Sequence, residues 1–282
     1  MKQLTIIGTG LIGGSIGLAV KSRGLIERVI GCDRKAVLEQ AHRLGAIDLG
    51  ETDPLRACAG SDVVLLATPV GGIIDLIERL GPMLPEKTLL TDVGSTKVEI
   101  VARARSVFGA NVNNRFLPGH PMAGKEHSGI EHAEAGLFAK AAWIFAGNDS
   151  VEANEHAAAW KHIVEALGAR SLFLDAAQHD RICAWVSHLQ QFISTAMAAA
   201  LLDEFGDSPE VHAIGGRALR EMTRIASSPY SMWRDIAITN AGNIEVALSR
   251  FEQKLAHLRE SLRSPALREE FERANSFSAT EE

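Results

Sequence analysis

The feature that most constrains the fold is Gly8-Thr9-Gly10-Leu11-Ile12-Gly13, which follows an apolar run at 4–7 and opens a stretch of helical character. The first glycine allows a tight turn, the second lets backbone amides approach a pyrophosphate, and the third lets helix and strand pack closely. The start of the helix adds unsatisfied N–H donors suited to an anion. Asp33 lies twenty residues beyond Gly13, at the end of the second apolar run, where a carboxylate can accept from adenosine ribose hydroxyls. Gly8, Gly10, Leu11, Ile12, Gly13 and Asp33 are therefore candidate dinucleotide contacts, against the plainer reading of a glycine-rich turn with no ligand. The Asp33 charge repels a 2′-phosphate and favours NAD, while Arg34 and Lys35 beside it leave NADP open.

Apolar runs at 4–7, 28–32, 62–67 and 88–92 read as buried strands, with helical spacing at 34–44 and 72–80 between them. Such alternation implies βαβ units and a mostly parallel, doubly wound sheet. Residues 116–118, 142–146 and 171–174 add strands, and 152–167 a helix. From 175 onward strand patterns vanish, and helical ones are broken at Gly206, Gly215-Gly216 and Ser227-Ser228-Pro229. The 282 residues suit about two domains at roughly 150 residues each. The expected class is α/β: a Rossmann-type sheet domain over 1–174, then an all-α substrate and dimerisation domain over 175–282. Ile244, Leu248, Phe251, Leu255, Leu258 and Leu262 form a heptad seam, which suits either an intramolecular bundle or a homodimer. A frayed tail is expected over 276–282.

Composition narrows the function. With 46% hydrophobic and 23% charged residues the chain is not disordered, and a net charge of −6 offers no basic face for nucleic acid or acidic lipid. Cys32, Cys58 and Cys183 are too few and scattered for a disulfide framework or a Cys-based zinc site, as expected in the cytoplasm. The uncharged stretch 3–20 holds five glycines, so neither a membrane span nor a signal peptide is expected. There is no HExxH and the histidines are dispersed, so no metal is expected.

Ligands of open α/β sheets bind beyond the carboxyl ends of the strands. Thr68 and Pro69 stand at one such end and Ser95 at another, as candidates to border a nicotinamide. Thr68 reads alternatively as a cap of the next helix, and Ser95 as a turn closure. The segment Gly119-His120-Pro121-Met122-Ala123-Gly124-Lys125-Glu126-His127-Ser128-Gly129 reads as a loop with a histidine at its entrance. A histidine of near-neutral pKa there can take a substrate hydroxyl proton while hydride leaves the same carbon.

The segments 8–17 (GTGLIGGSIG), 92–97 (DVGSTK), 119–129 (GHPMAGKEHSG), Ser187-His188-Leu189 and 223–235 (TRIASSPYSMWRD) occur in this order. In this the chain resembles the prephenate/arogenate dehydrogenases over roughly residues 3–265. The resemblance implies NAD-dependent oxidative decarboxylation of prephenate to 4-hydroxyphenylpyruvate, or of arogenate to tyrosine. It also implies that His120 is the catalytic base, that Ser95 helps hold the substrate hydroxyl and His120, and that Arg224 binds the ring carboxylate. Glu126, His188 and Trp233 would border the substrate. Trp233 reads alternatively as a core anchor, and His188 as a helix-packing histidine.

The chain departs from the family's pattern at two places. Many prephenate-specific members continue Ser-His-Leu with Pro-His, whereas here Gln190-Gln191 follow, and Lys125 stands where threonine is common. Gln191 can donate to a keto group or accept from an ammonium and so does not decide between the substrates. Lys125 can pair with a carboxylate that both carry, and its cation slightly disfavours a nearby ammonium, so the expectation is prephenate, with use of both substrates open. Neither a chorismate mutase segment nor an ACT-type domain is expected, which leaves the active site as the place for tyrosine feedback. Two other readings stay open. One is a different two-domain NAD(P)-dependent hydroxyacid dehydrogenase, which would want a lysine within 178–204. The other is a non-catalytic NAD-sensing scaffold.

Overall fold

The computed structural model describes residues 1–147 and 154–278. Strands β1 (Gln3–Ile7), β2 (Arg28–Cys32), β3 (Leu49–Glu51), β4 (Val63–Leu66), β5 (Leu89–Asp92) and β6 (Phe116–Leu117) form one sheet. Its order is β3-β2-β1-β4-β5-β6 and every pair is parallel. The order reverses between β1 and β4, and this switch opens a crevice at the strands' carboxyl ends.

Both faces are covered, so the strands read as unbroken apolar runs rather than alternating ones. The period of two appears instead as a division of labour. Leu4, Ile6, Val63, Leu65 and Leu89 enter one core with Trp143 and Trp160, while Ile7, Val64, Leu66 and Leu90 enter the other with Ile73 and Ile100. Helices α1 (Leu11–Ser22), α2 (Lys35–Arg43), α3 (Pro54–Ala57), α4 (Val70–Leu80), α5 (Val98–Phe108) and α6 (Val112–Arg115) make the crossovers.

The sheet domain departs from expectation in two ways. Leu49–Glu51 is a strand that its composition hides, because it lies at the sheet edge with Leu49 exposed. The expected loop at 119–129 begins as β7 (Gly119–Pro121), the antiparallel edge of a second sheet with β8 (Ala142–Ala146) and β9 (Arg170–Leu174). Proline is tolerated at such an edge, but it masks the strand in the sequence. Helix α7 (Glu155–Ala166) realises the expected helix, and the forecast start at 152–153 lies outside the described residues.

The remaining helices are α8 (Ala176–Cys183), α9 (Leu189–Phe205), α10 (Pro209–Ile214), α11 (Arg217–Thr223), α12 (Tyr230–Thr239), α13 (Ala241–Ser261) and α14 (Ala266–Ser278). A π-helical turn, Ala184–His188, joins α8 to α9, and a 3₁₀ turn, Arg224–Ser227, precedes α12. The breaks fall where glycine and proline placed them. Gly206, at φ +62°, ends α9 in the left-handed conformation that favours glycine. The tail expected to fray at 276 is helical through Ser278, and 279–282 lie outside the described residues. The α13 seam divides: Ile244 and Leu248 pack on Trp233 and Phe192, whereas Leu255 and Leu262 are exposed.

Candidate active site

Each glycine of the first turn has its own reason to be one. A Cβ on Gly8, whose φ is +96°, would lie 2.5 Å from the Ala67 carbonyl oxygen, and one on Gly13 would lie 2.0 Å from the Gly8 oxygen. Both are required by the protein's own backbone. A Cβ on Gly10 would meet nothing within 4 Å, so no protein atom occupies the space there. Gly10 is also the N-cap of α1 and supplies no side-chain cap, which leaves the amides of Leu11 and Ile12 facing that space. A dinucleotide pyrophosphate fits this cradle.

Asp33 sits half-buried at the end of β2. Its Oδ2 accepts from the Thr9 amide (2.8 Å) and hydroxyl (3.3 Å), and its Oδ1 from the Arg34 amide (2.7 Å). The carboxylate thereby braces the glycine turn and keeps acceptor capacity for a ribose. Arg34 is exposed beside it as the N-cap of α2.

Thr68 does not cap α4. Its Oγ1 is buried with no hydrogen-bond partner among the described residues, and the exposed Pro69 takes the N-cap position. The α4 amide of Gly71 is capped from the helical half instead, by Asp235 Oδ2 at 2.9 Å. Ser95 does not close its turn either, because Asp92 Oδ2 accepts from the Gly94 amide at 2.8 Å. Ser95 is half-buried, and among the described residues no hydrogen bond ties it to His120.

His120 lies on strand β7, not on a loop, with 8% of its surface exposed. The strand is clamped to the end of β5 by buried groups that the sequence reading did not single out. Lys97 Nζ pairs with Asp92 and donates to the Gly119 oxygen at 2.8 Å, while the Gly119 amide donates to Asp92 Oδ1 at 3.1 Å. His120 Nδ1 is 2.8 Å from His179 Nε2 on α8, and His179 Nδ1 is 2.8 Å from Asp180 Oδ1. Asp180 in turn accepts from the amides of Lys97 (2.7 Å) and Val98 (2.9 Å), capping α5 from α8.

Burial, and after it the neighbouring His179 and Lys97, push the His120 pKa well below its ordinary value. The near-neutral value expected from sequence is therefore too high. The dispersed histidines also converge: His120, His179 and Cys183 bring ligand-type atoms within 4.8 Å of one another. The 2.8 Å N···N separation is that of a shared proton, shorter than the roughly 3.3 Å spanned by two imidazoles about 2.0–2.1 Å from one zinc ion.

The substrate candidates divide. Arg224 Nη1 pairs with Glu126 Oε2 at 2.8 Å, joining the 3₁₀ turn to the segment after β7. The Glu126 carboxyl is held below the usual range by its own amide N–H and by Arg224. Gln191 Nε2 donates to the Ile225 oxygen (2.9 Å) and to Thr195 Oγ1 (3.2 Å), which places it beside that turn. Lys125 is turned back into its own segment, on the His132 oxygen (3.0 Å) and Glu134 (3.1 Å).

His188 is buried on the π turn, packed edge-on to Trp233, with Nδ1 3.2 Å from Asn240 Nδ2. That amide also donates to the Asp180 oxygen, so it is the donor to Nδ1 and the His188 proton sits on Nε2. Burial lowers the His188 pKa to about 4. Among the described residues His188 Nε2, Trp233 Nε1 and Ser194 Oγ are buried without hydrogen-bond partners, and the first two belong to rings packed on one another.

A family model described as "Prephenate dehydrogenase, nucleotide-binding domain" matches residues 16–173, and one described as "Prephenate dehydrogenase, dimerization domain" matches 175–274. The chain is 31% identical over 261 residues to a prephenate dehydrogenase of Lactococcus lactis subsp. cremoris, covering 92% of this chain and 70% of that one. Among solved structures it resembles the prephenate dehydrogenase of A. aeolicus in complex with hydroxyphenyl propionate and NAD+ (28% identity, TM-score 0.86, 100% and 97% of the two chains). It also resembles an arogenate dehydrogenase of Synechocystis (25% identity, TM-score 0.78, 99% and 100%). The glycine turn at the switch point, the buried histidine clamped at the end of β5 and these matches lead to one conclusion: the chain belongs to the prephenate dehydrogenase family.

Proposed function

We propose that this protein catalyses the NAD-dependent oxidative decarboxylation of prephenate to 4-hydroxyphenylpyruvate. The observation that carries the reading is His120, kept neutral by burial on a strand clamped against the end of β5, in a fold whose β1 ends in a glycine turn open at Gly10. When bound, NAD accepts the hydride from ring carbon 4. Its pyrophosphate would lie at Gly10, Leu11 and Ile12, between Gly8 and Gly13, its ribose at Asp33 near Arg34, and its nicotinamide near Thr68, Pro69 and Ser95. The orphaned Thr68 hydroxyl is the partner that a carboxamide would satisfy.

His120 takes the proton of the 4-hydroxyl as the hydride departs, and loss of the ring carboxylate as CO2 restores aromaticity. Ser95 lies at the neighbouring strand end to orient that hydroxyl. Arg224 exchanges Glu126 for the ring carboxylate through a charge-assisted contact. His188 Nε2–H and Trp233 Nε1–H are donors for the substrate's other end. Lys125, already paired, acts there only if Glu134 releases it.

One observation favours arogenate as a second substrate. The Ile225 carbonyl can only accept, so the Gln191 nitrogen faces it, and the second N–H goes to Thr195. Gln191 is left to meet a substrate through its carbonyl oxygen, which suits an ammonium better than a keto group. Absorbance at 340 nm with each substrate and each of NAD and NADP tests these assignments. Turnover of prephenate with NAD is expected, with measurable arogenate use, and no turnover of either substrate would refute the reading.

The division near 174/175, after β9 and before α8, suits a cofactor domain followed by a substrate and dimerisation domain. A homodimer is favoured by α9, which is apolar around its circumference yet leaves Leu202 and Phe205 more than half exposed. Cytoplasmic work suits the three free, buried cysteines. Among the described residues no helix is long and apolar enough to cross a membrane.

A further inference from the structure

The proton positions around His120 can be derived from the chain's own donors, starting at Asp180. That carboxylate accepts two backbone N–H groups at the start of α5, Lys97 on Oδ1 and Val98 on Oδ2, so it is held as an acceptor. His179 Nδ1, 2.8 Å from Oδ1, must therefore donate, and the Nε2 of a neutral His179 is bare. His120 Nδ1 is 2.8 Å from that bare nitrogen and must donate in turn. The only lone pair left on the His120 ring is on Nε2. Cys183 Sγ lies 3.5 Å from the same His179 nitrogen. Burial pushes this thiol up to about 12, so it stays S–H and is a second, weaker donor to an acceptor already inferred to be bare.

We propose that His179 and Asp180 are positioning residues that hold His120 in the tautomer with Nδ1 protonated and Nε2 free, and steady the imidazolium formed when Nε2 takes the substrate proton. The inference rests on the reading of His120 as the base. The bond that forms is Nε2–H and the bond that breaks is the substrate O–H. The Nδ1–H already present is donated to a ring whose far N–H faces a carboxylate, so the new charge acquires a countercharge through the chain. The charged and titratable groups around this chain are Lys97 and Asp92 at the end of β5, His179, Asp180 and Cys183 on α8, and His188 on the π turn. Lys97 opposes a cation on His120, and Asp180 is the group placed to offset it.

The test is ¹⁵N NMR of the full chain labelled in histidine, together with steady-state kinetics. In the wild type near pH 7.5, the His120 signals, assigned by their loss in His120→Asn, should show a protonated Nδ1 and an unprotonated Nε2. In His179→Phe that bias should disappear, with kcat falling roughly 10- to 100-fold and substrate KM staying within about threefold. His179→Gln, whose side-chain oxygen can accept from His120 Nδ1, should recover most of the kcat. The opposite tautomer in the wild type overturns the proposal even if the variants do not fold, as does an unchanged tautomer and kcat in a folded His179→Phe. Failure of the underlying reading looks different: His120→Asn would then retain kcat whatever the tautomer.

Discussion

At His120 the direction of the pKa shift sets the pH behaviour. A base works in its neutral form, and burial favours that form, so kcat/KM should be level from about pH 6.5 upward and decline only on the acid side. A pH–rate profile with an acid limb centred above 7 would contradict this. His120→Asn should lower kcat by about 10²–10⁴ with the melting temperature preserved. Arg224 is exposed and already paired with Glu126, an arrangement suited to binding a substrate carboxylate. Arg224→Ala should raise substrate KM more than it lowers kcat, and Glu126→Gln, by removing the competing carboxylate, should lower KM. Steady-state kinetics on both variants checks the pair, and an unchanged KM in Arg224→Ala would remove Arg224 from the site.

At the scale of elements, the first βα turn separates two uses of glycine. Gly13→Ala forces a methyl onto the Gly8 oxygen and should cost stability as well as cofactor binding. Gly10→Ala would place its methyl within 4 Å of no protein atom. It should fold with a melting temperature close to that of the wild type, yet bind NAD about tenfold or more weakly, as titration calorimetry would show. Unweakened binding would mean that the space at Gly10 is not the pyrophosphate's. Much at this scale was legible. The strands of the main sheet follow from unbroken apolar runs, and the helix breaks at Gly206, Gly215-Gly216 and Pro229 from backbone freedom and a missing N–H. Strands β3 and β7 were not, because an exposed Leu-Gly-Glu edge and a Gly-His-Pro segment carry no apolar periodicity.

For the whole molecule, a buried neutral histidine makes stability depend on pH. The unfolded chain protonates His188 near 6.5, whereas the folded chain resists until about 4. The folded-state value is depressed, so stability is full above pH 6.5 and is lost as pH falls from 6.5 towards 4, by roughly 3 kcal/mol in all. His120 adds to the loss with the same sign. Thermal unfolding followed over this range should show the decline, and His188→Gln should flatten part of it. The exposed apolar face of α9 predicts a mass twice the 30.3 kDa of one chain in light scattering. A Leu202→Glu, Phe205→Glu double variant should halve that mass, and a wild-type monomer at assay concentration would refute the pairing.

From its sequence alone this protein was determined to have a doubly wound nucleotide-binding half, a helical half, and His120, Ser95 and Arg224 as the groups to watch. The two halves are consequences of short-range rules, strand and helix periodicity and glycine at tight turns, whereas the three groups are what the resemblance to the family implies. Tertiary structure alone decided which polar groups meet. His120 and His179 are 59 positions apart, and Arg224 and Glu126 are 98 apart. Asp180 reaches the start of α5 only because the helical half packs against it, and Lys97 and Asp92 become a buried pair only when β7 closes over them. Periodicity reports which face of an element is buried. It carries no information about which donor will lie opposite which acceptor, because that depends on how the two halves dock.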